Sequence, residues 1–456
     1  MRAASVALLV GLAAGACLAQ FRAGAAKAVI TPDLARFAPV FLAGFDQNRV
    51  ATGIHDDLYA RCLALSAGAR PLVLCGLDSI GLFFEDVEKI RASAIQRIGG
   101  PADVVVAPLH DHEAPDTMGL WGPAPAVSGI NEEYNRLVID RTAEAAAAAV
   151  RALRPAAAKL ASVRSSELDS YIHDNRPPVV HDSDLVILSV ADTAGKPIAT
   201  LVNWANHPET LASKNTLLTA DYPAYFYTRL ERRLGGVALL LNGAVGGMQS
   251  PLGAKVVDPQ TGKPAEDATF RKAEIIGTRV AELAADAVVK AASVRVRSIA
   301  FREKAVQIPV ANKGFQLAAK SGLFRGRKPM SEGAPASTVA GIFRLLDGSR
   351  PVLEGALVPG ELYPELSVGG IQRYPGADFP DAPLEPPIKR MMKAPYRMLI
   401  GLANDEIGYI IPKAEWDEKE PWLQNAPRRW YGEVNAVGPE AAPLIAAAIE
   451  ELLKQR

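Results

Sequence analysis

Five short apolar runs set the limits on what this chain can fold into. Residues 71–77, 103–107, 184–190, 198–204 and 237–242 are each about one strand long and dominated by apolar side chains. A strand with one wet face alternates polar and apolar residues, so runs like these predict strands covered on both faces. Helical spacing fills the intervals. Residues 84–98 are amphipathic, 134–153 are Ala-rich and close before Pro155, and 224–234 and 272–292 follow the same period. The alternation predicts an α/β fold: one large domain of mostly buried mixed β-sheets covered by helices, with its site at strand ends. No internal repeat is visible. Residues 314–351 read as an insertion. Its basic run from Phe324 to Pro329 is either a solvated loop or a contact for an acidic headgroup. Residues 369–395 are rich in Pro and Gly and read as a rim or lid.

The chain has 456 residues, 49% hydrophobic and 22% charged, with a formal net charge of zero. Nothing in that balance points to nucleic acid or to bulk attraction by an anionic membrane. Arg2, the apolar stretch 6–14 and small residues up to Ala19 read as a signal peptide over 1–19, cleaved to leave a domain over 20–456. A lipoprotein-type cut before Cys17 is the alternative. Either predicts a secreted or periplasmic protein. After cleavage at Ala19 only Cys62 and Cys75 remain, both in strand-like contexts. They pair across neighbouring strands or stay as buried free thiols, and free thiols are the expectation.

The chemistry concentrates where apolar runs end. The run from Asp103 leads into His110-Asp-His112-Glu-Ala-Pro115, placing two of six histidines one residue apart. In an extended strand both would face the same way, which suits a divalent metal or a polarised water, although a surface pair at a strand–loop junction would look the same. His207 ends a second run, in Asn203-Trp-Ala-Asn-His207. Catalytic zinc takes three protein ligands and keeps a position for water, so a third histidine at a strand end strengthens a metal reading. Glu361, in Val358-Pro-Gly-Glu361, and Tyr409, in Asn404-Asp-Glu-Ile-Gly-Tyr409, add a carboxylate and a phenol as further oxygen donors. The loop from Asn242 to Pro251 holds Gly246, Gly247 and Ser250. It is neither a phosphate-binding loop nor a serine-hydrolase elbow, and its glycines would admit a substrate close to the backbone.

In this order these segments resemble the neutral ceramidases, secreted zinc amidases that cleave the N-acyl bond of ceramide. The likeness runs from Ala26-Lys-Ala-Val-Ile-Thr-Pro and Gly53-Ile-His through His110-Asp-His112, Asn175-Arg176-Pro177 and Asn203-Trp-Ala-Asn-His207 to Val358-Pro-Gly-Glu361 and the Tyr409 segment. It implies that His110, His207, Glu361 and Tyr409 hold Zn2+. It also implies that His112, Arg176 and Tyr431 act on the reacting groups, and that Asn175, Gly246, Gly247 and Ser250 contact substrate. The expected partner is a lipid or other N-acyl small molecule, with peripheral membrane contact and no protein partner. The sequence departs from the family in lacking Asp in the 246–251 loop, in Pro177 where the family has Ser, and in Tyr409-Ile-Ile-Pro. An immunoglobulin-like domain after helix 440–454 is not expected. A metal-dependent esterase or deacylase on a glycan or peptide conjugate is the alternative activity. A non-catalytic lipid- or carbohydrate-binding protein is the alternative from another class.

Overall fold

In the computed structural model, which describes residues 20–324 and 334–455, one pairing pattern occurs three times. The first unit consists of β1 (Arg22–Val29), β2 (Tyr59–Ser66), β3 (Leu72–Leu77) and β4 (Asp103–Pro108). The second consists of β5 (Arg154–Val163), β6 (Leu185–Asp192), β7 (Pro197–Trp204) and β8 (Val237–Asn242). The third consists of β9 (Ser298–Ile308), β10 (Ala336–Asp347), β11 (Arg350–Leu357) and β12 (Tyr396–Ile400). In each, the first two pairings are antiparallel and the last is parallel. A parallel pair needs a crossover. Helices Phe84–Ile98 and Tyr222–Leu234 provide two of them, and residues 358–395 provide the third. A closing helix follows every unit: Glu132–Arg151, Phe270–Lys290 and Ala441–Lys454. The first two units join through a short pairing of β1 with β5, and with the two-residue strand Ser293–Val294 added beside β5 they make one nine-stranded sheet, while the third is separate.

The doubly covered strands have a direct cause. Inner-face residues of all three units, among them Leu63, Leu74, Val105, Leu188, Leu201, Leu241, Phe343, Leu353 and Met398, meet in one central core. The outer faces pack separately under their own helices. β2, β3, β4, β7 and β8 are therefore buried on both sides, whereas β1 and β5, where the two units join, keep exposed residues. The mixed α/β class expected from the sequence is found, and helix Phe84–Ile98 has the expected bounds.

Four expectations are corrected. The fold does repeat. What recurs is pairing order, while the crossovers differ in length and content, so the sequence shows no period. Residues 314–351 are not an insertion: they contain helix Lys313–Lys320 and β10, a central strand of the third sheet. Most of the basic run, like the leader expected over 1–19, lies outside the described residues. Cys62 and Cys75 are not free thiols. They are register partners on β2 and β3, with Cα atoms 4.1 Å apart, and form a disulfide. Replacing both with Ala removes a cross-link spanning 13 residues. Chain-entropy arguments value a loop of that size at about 3 kcal/mol. Denaturant unfolding of the double variant should show a loss of that order with native activity retained. Lastly, segment 369–395 contributes no residue to the cavity described below and so is not its lid.

Candidate metal centre

The carboxyl ends of the parallel strand pairs converge, and the candidate residues sit there. His110 and His112 follow β4, His207 follows β7, Glu361 follows β11 and Tyr409 follows β12, so each unit contributes. Backbone and amide bonds lock these ends together. Asn404 receives the Val106 N–H on its side chain (3.0 Å) and donates its own N–H to the Val106 carbonyl (2.7 Å). Asp405 caps helix Phe84–Ile98 at the Phe84 N–H (2.9 Å). Asn242 donates to the Leu109 carbonyl (2.8 Å). The Asn404-Asp405 pair thus ties the Tyr409 loop to the unit that carries His110.

The histidines converge by a route other than strand alternation. β4 ends at Pro108, and His110 adopts a left-handed φ of 66°, so the pair sits on a turn. The three rings still cluster, with centroids 4.9 Å (His110–His112), 5.2 Å (His110–His207) and 5.5 Å (His112–His207) apart. Each offers a nitrogen within 4.8 Å of the other two, which is a group able to hold a metal ion.

Outer contacts set which nitrogens face inward. His110 Nδ1 lies 2.8 Å from the Ile80 carbonyl and His207 Nδ1 lies 2.7 Å from that of Gln249. Carbonyls only accept, so both Nδ1 atoms carry protons, which leaves the two Nε2 atoms as the nitrogens that would bind a metal. Those atoms face Glu361, at 3.4 Å from His110 and 3.0 Å from His207. Glu361 and Tyr409 are register partners in a two-residue parallel ladder, and the phenol bonds the carboxylate. His112 is half-buried, and neither of its buried ring nitrogens has a hydrogen-bond partner. Nitrogen and oxygen donors, outer carbonyls and an open imidazole together fit zinc.

Burial sets the charges. It holds His110 below the usual imidazole range and His112 well below it. For His207 burial opposes protonation, but the Glu361 hydrogen bond and the charges of Glu209 and Glu361 outweigh it and raise the pKa to about 9. Burial works to raise Glu361, yet His110 and His207 hold it below the ordinary carboxylate range. Burial and neighbouring Glu361 push the Tyr409 phenol well up.

The cluster forms the floor of a cavity of about 390 Å³. Phe83, Met118, Leu120, Trp121, Phe315, Phe324, Ile407 and Val437 give it a broad apolar wall, and Tyr431, 56% exposed, stands at its edge. No helix among the described residues is long and apolar enough to cross a membrane. Gly44 closes in on His112. Its φ is +72°, and a Cβ there would lie 2.4 Å from Nδ1. Gly44→Ala should therefore displace the His112 ring, cutting turnover at least about tenfold with the fold intact, as circular dichroism and kinetics on one preparation would show.

The other sequence candidates lie outside this cavity. Arg176 is buried, donating to Glu433 (2.6 Å), the Tyr363 hydroxyl (3.1 Å) and the Glu415 carbonyl (2.8 Å). It approaches the centre through Tyr363, whose ring meets that of Tyr409 at 6.1 Å. Asn175 is exposed and does not line the cavity. Gly246, Gly247 and Ser250 form the strap behind His207, and Gln249 holds its ring. Sequence reasoning missed Glu209, which lines the cavity two residues after His207, and the aromatic wall. A carboxylate two residues after a ligand candidate was the available signal for Glu209. Phe315 and Phe324 were hidden in the supposed insertion.

A fold of three α/β units around a histidine-rich centre defines the class, and comparison with solved structures then gives it a relative. Neutral ceramidase from Pseudomonas aeruginosa superposes with a TM-score of 0.68 at 18% identity, covering 95% of this chain and 75% of that one. A ceramidase complexed with C2 gives 0.69 at 17% identity with the same coverage. The chain therefore has the neutral ceramidase fold. No protein-family model matches it, and no curated protein matches its sequence.

Proposed function

We propose that this protein is a zinc-dependent amidase of neutral ceramidase type, cleaving the N-acyl bond of ceramide or a related N-acyl lipid. One observation carries the reading: imidazoles and a carboxylate from all three units converge at a cavity with a broad apolar wall. His110, His207, Glu361 and Tyr409 would hold the ion, which supplies Lewis acidity and a water acidified towards pKa ~7. The wall from Phe83 to Phe324 would take an alkyl chain and exclude water around the scissile bond. His112, its ring nitrogens open, is placed to move a proton between the attacking water and the leaving amine. Tyr431 at the edge is placed to donate to the carbonyl oxygen as charge develops there. The 1–19 leader and the Cys62–Cys75 disulfide support a site of action outside the reducing cytosol.

The test is hydrolysis of a fluorescent N-acyl sphingosine by the mature protein, with and without a strong zinc chelator. Chelator-sensitive release of fatty acid is the expected result. Folded, zinc-loaded protein that releases none would move the assignment to an ester or another amide at the same centre.

A further inference from the structure

Glu209 is 7% exposed and lies on the turn that carries His207. Its Oε2 is 3.3 Å from His112 Nδ1, and its carboxylate accepts the Ser250 hydroxyl. The His112 N–H donates to the Pro208 carbonyl (3.0 Å), so the main chain fixes the ring's residue directly against the turn bearing the carboxylate. Gly44 also abuts the ring, Phe45 meets it edge-on at 5.1 Å, and the rings of His110 and His207 lie 4.9 and 5.5 Å away. The 3.3 Å contact is close enough for an ion pair but is not aligned as a hydrogen bond. Catalytic contacts are often loose before substrate arrives.

We propose that Ser250, Glu209 and His112 form an orienting chain in which Glu209 is the positioning residue. The Ser250 hydroxyl fixes the carboxylate. The carboxylate accepts the Nδ1 proton of His112, which leaves the Nε2 lone pair directed at the reaction centre. A carboxylate behind an imidazole sets tautomer and ring orientation, and its loss typically costs about 10–100-fold in activity or metal affinity. This also gives Ser250 a role that its burial outside the cavity permits, in place of substrate contact. The orientation stands on geometry alone, while its catalytic consequence rests on the hydrolase reading above.

Six histidines make the tautomer directly readable. In zinc-loaded protein labelled with 15N-histidine, the ring resonances that disappear in His112→Ala should report a proton on Nδ1. In Glu209→Gln that proton should move to Nε2 or exchange between the two. On whichever N-acyl substrate is turned over, Glu209→Gln should lower kcat about 10–100-fold with KM within about twofold, and Glu209→Asp should recover part of the loss. An unchanged His112 tautomer in Glu209→Gln overturns the proposal. So does a raised KM at unchanged kcat, which would make Glu209 a substrate contact. The NMR arm needs no substrate. A protein inert towards every N-acyl lipid would sink the proposed function while this inference could still pass or fail.

Discussion

Glu361→Ala should empty the metal centre and abolish turnover in one step. The carboxylate faces Nε2 of both His110 and His207 and accepts the Tyr409 phenol, so its removal takes one donor away and releases three others. Losing only an outer partner costs about 10–100-fold in metal affinity, and losing a direct ligand costs more. Lewis acidity contributes several kcal/mol to the transition state, so kcat/KM should fall on the order of 10³-fold or more. His207→Ala should behave alike. His112→Ala should lower turnover and keep zinc near one equivalent, because Glu361 lies between the other two imidazoles. Metal analysis beside steady-state kinetics separates the roles. If His112→Ala empties the centre while Glu361→Ala keeps its zinc, the ligands are the three clustered histidines and Glu361 is an outer residue.

Much of this candidate centre was legible because side chains gathered at strand ends leave a local mark, a polar or aromatic residue breaking an apolar run. His110, His112, His207, Glu361 and Tyr409 all carry it, and the structure brings all five to one place. The mechanism of convergence was not legible. Alternation along a strand was the simplest way to align His110 with His112, but the strand stops at Pro108 and a left-handed His110 makes the alignment instead. Whether such a turn forms depends on Ile80 and Pro208, which are distant in sequence.

At the level of the fold, the buried strands were legible and the threefold arrangement was not. Strand character depends on nearest neighbours and shows in composition, whereas pairing order depends on which runs meet. β10 is hidden for a related reason. It follows a basic stretch and a helix that borders the cavity, so its apolar residues blend into the same segment. The disulfide was hidden because buried thiols and bridged cysteines share the same apolar flanks. Only the register of β2 against β3, which puts Cys62 opposite Cys75, separates them.

Arg176→Met should cost about 3–5 kcal/mol of stability and leave substrate affinity unchanged. The guanidinium is 6% exposed and bonds Glu433, which is fully buried, together with the Tyr363 hydroxyl and the Glu415 carbonyl. Around it burial pushes Glu415 up to about 7, raises Glu433 and Asp174, and lifts Glu365 well above the carboxylate range. Arg176 is the cation bonded to Glu433 in this acidic pocket. Removing one partner of a buried pair strands the other charge, which accounts for a cost of that size. Replacing Glu433 by Gln in the same variant should recover part of it, since the stranded charge goes too. The family resemblance implies a different outcome, in which Arg176 contacts the substrate and its loss raises KM. Equilibrium unfolding together with KM on the folded fraction decides between them. A variant as stable as the parent with KM raised tenfold would return Arg176 to the reacting groups. A destabilised variant with parental KM would make it the counter-charge that holds Tyr363, and through Tyr363 the Tyr409 ring, in place behind the metal centre.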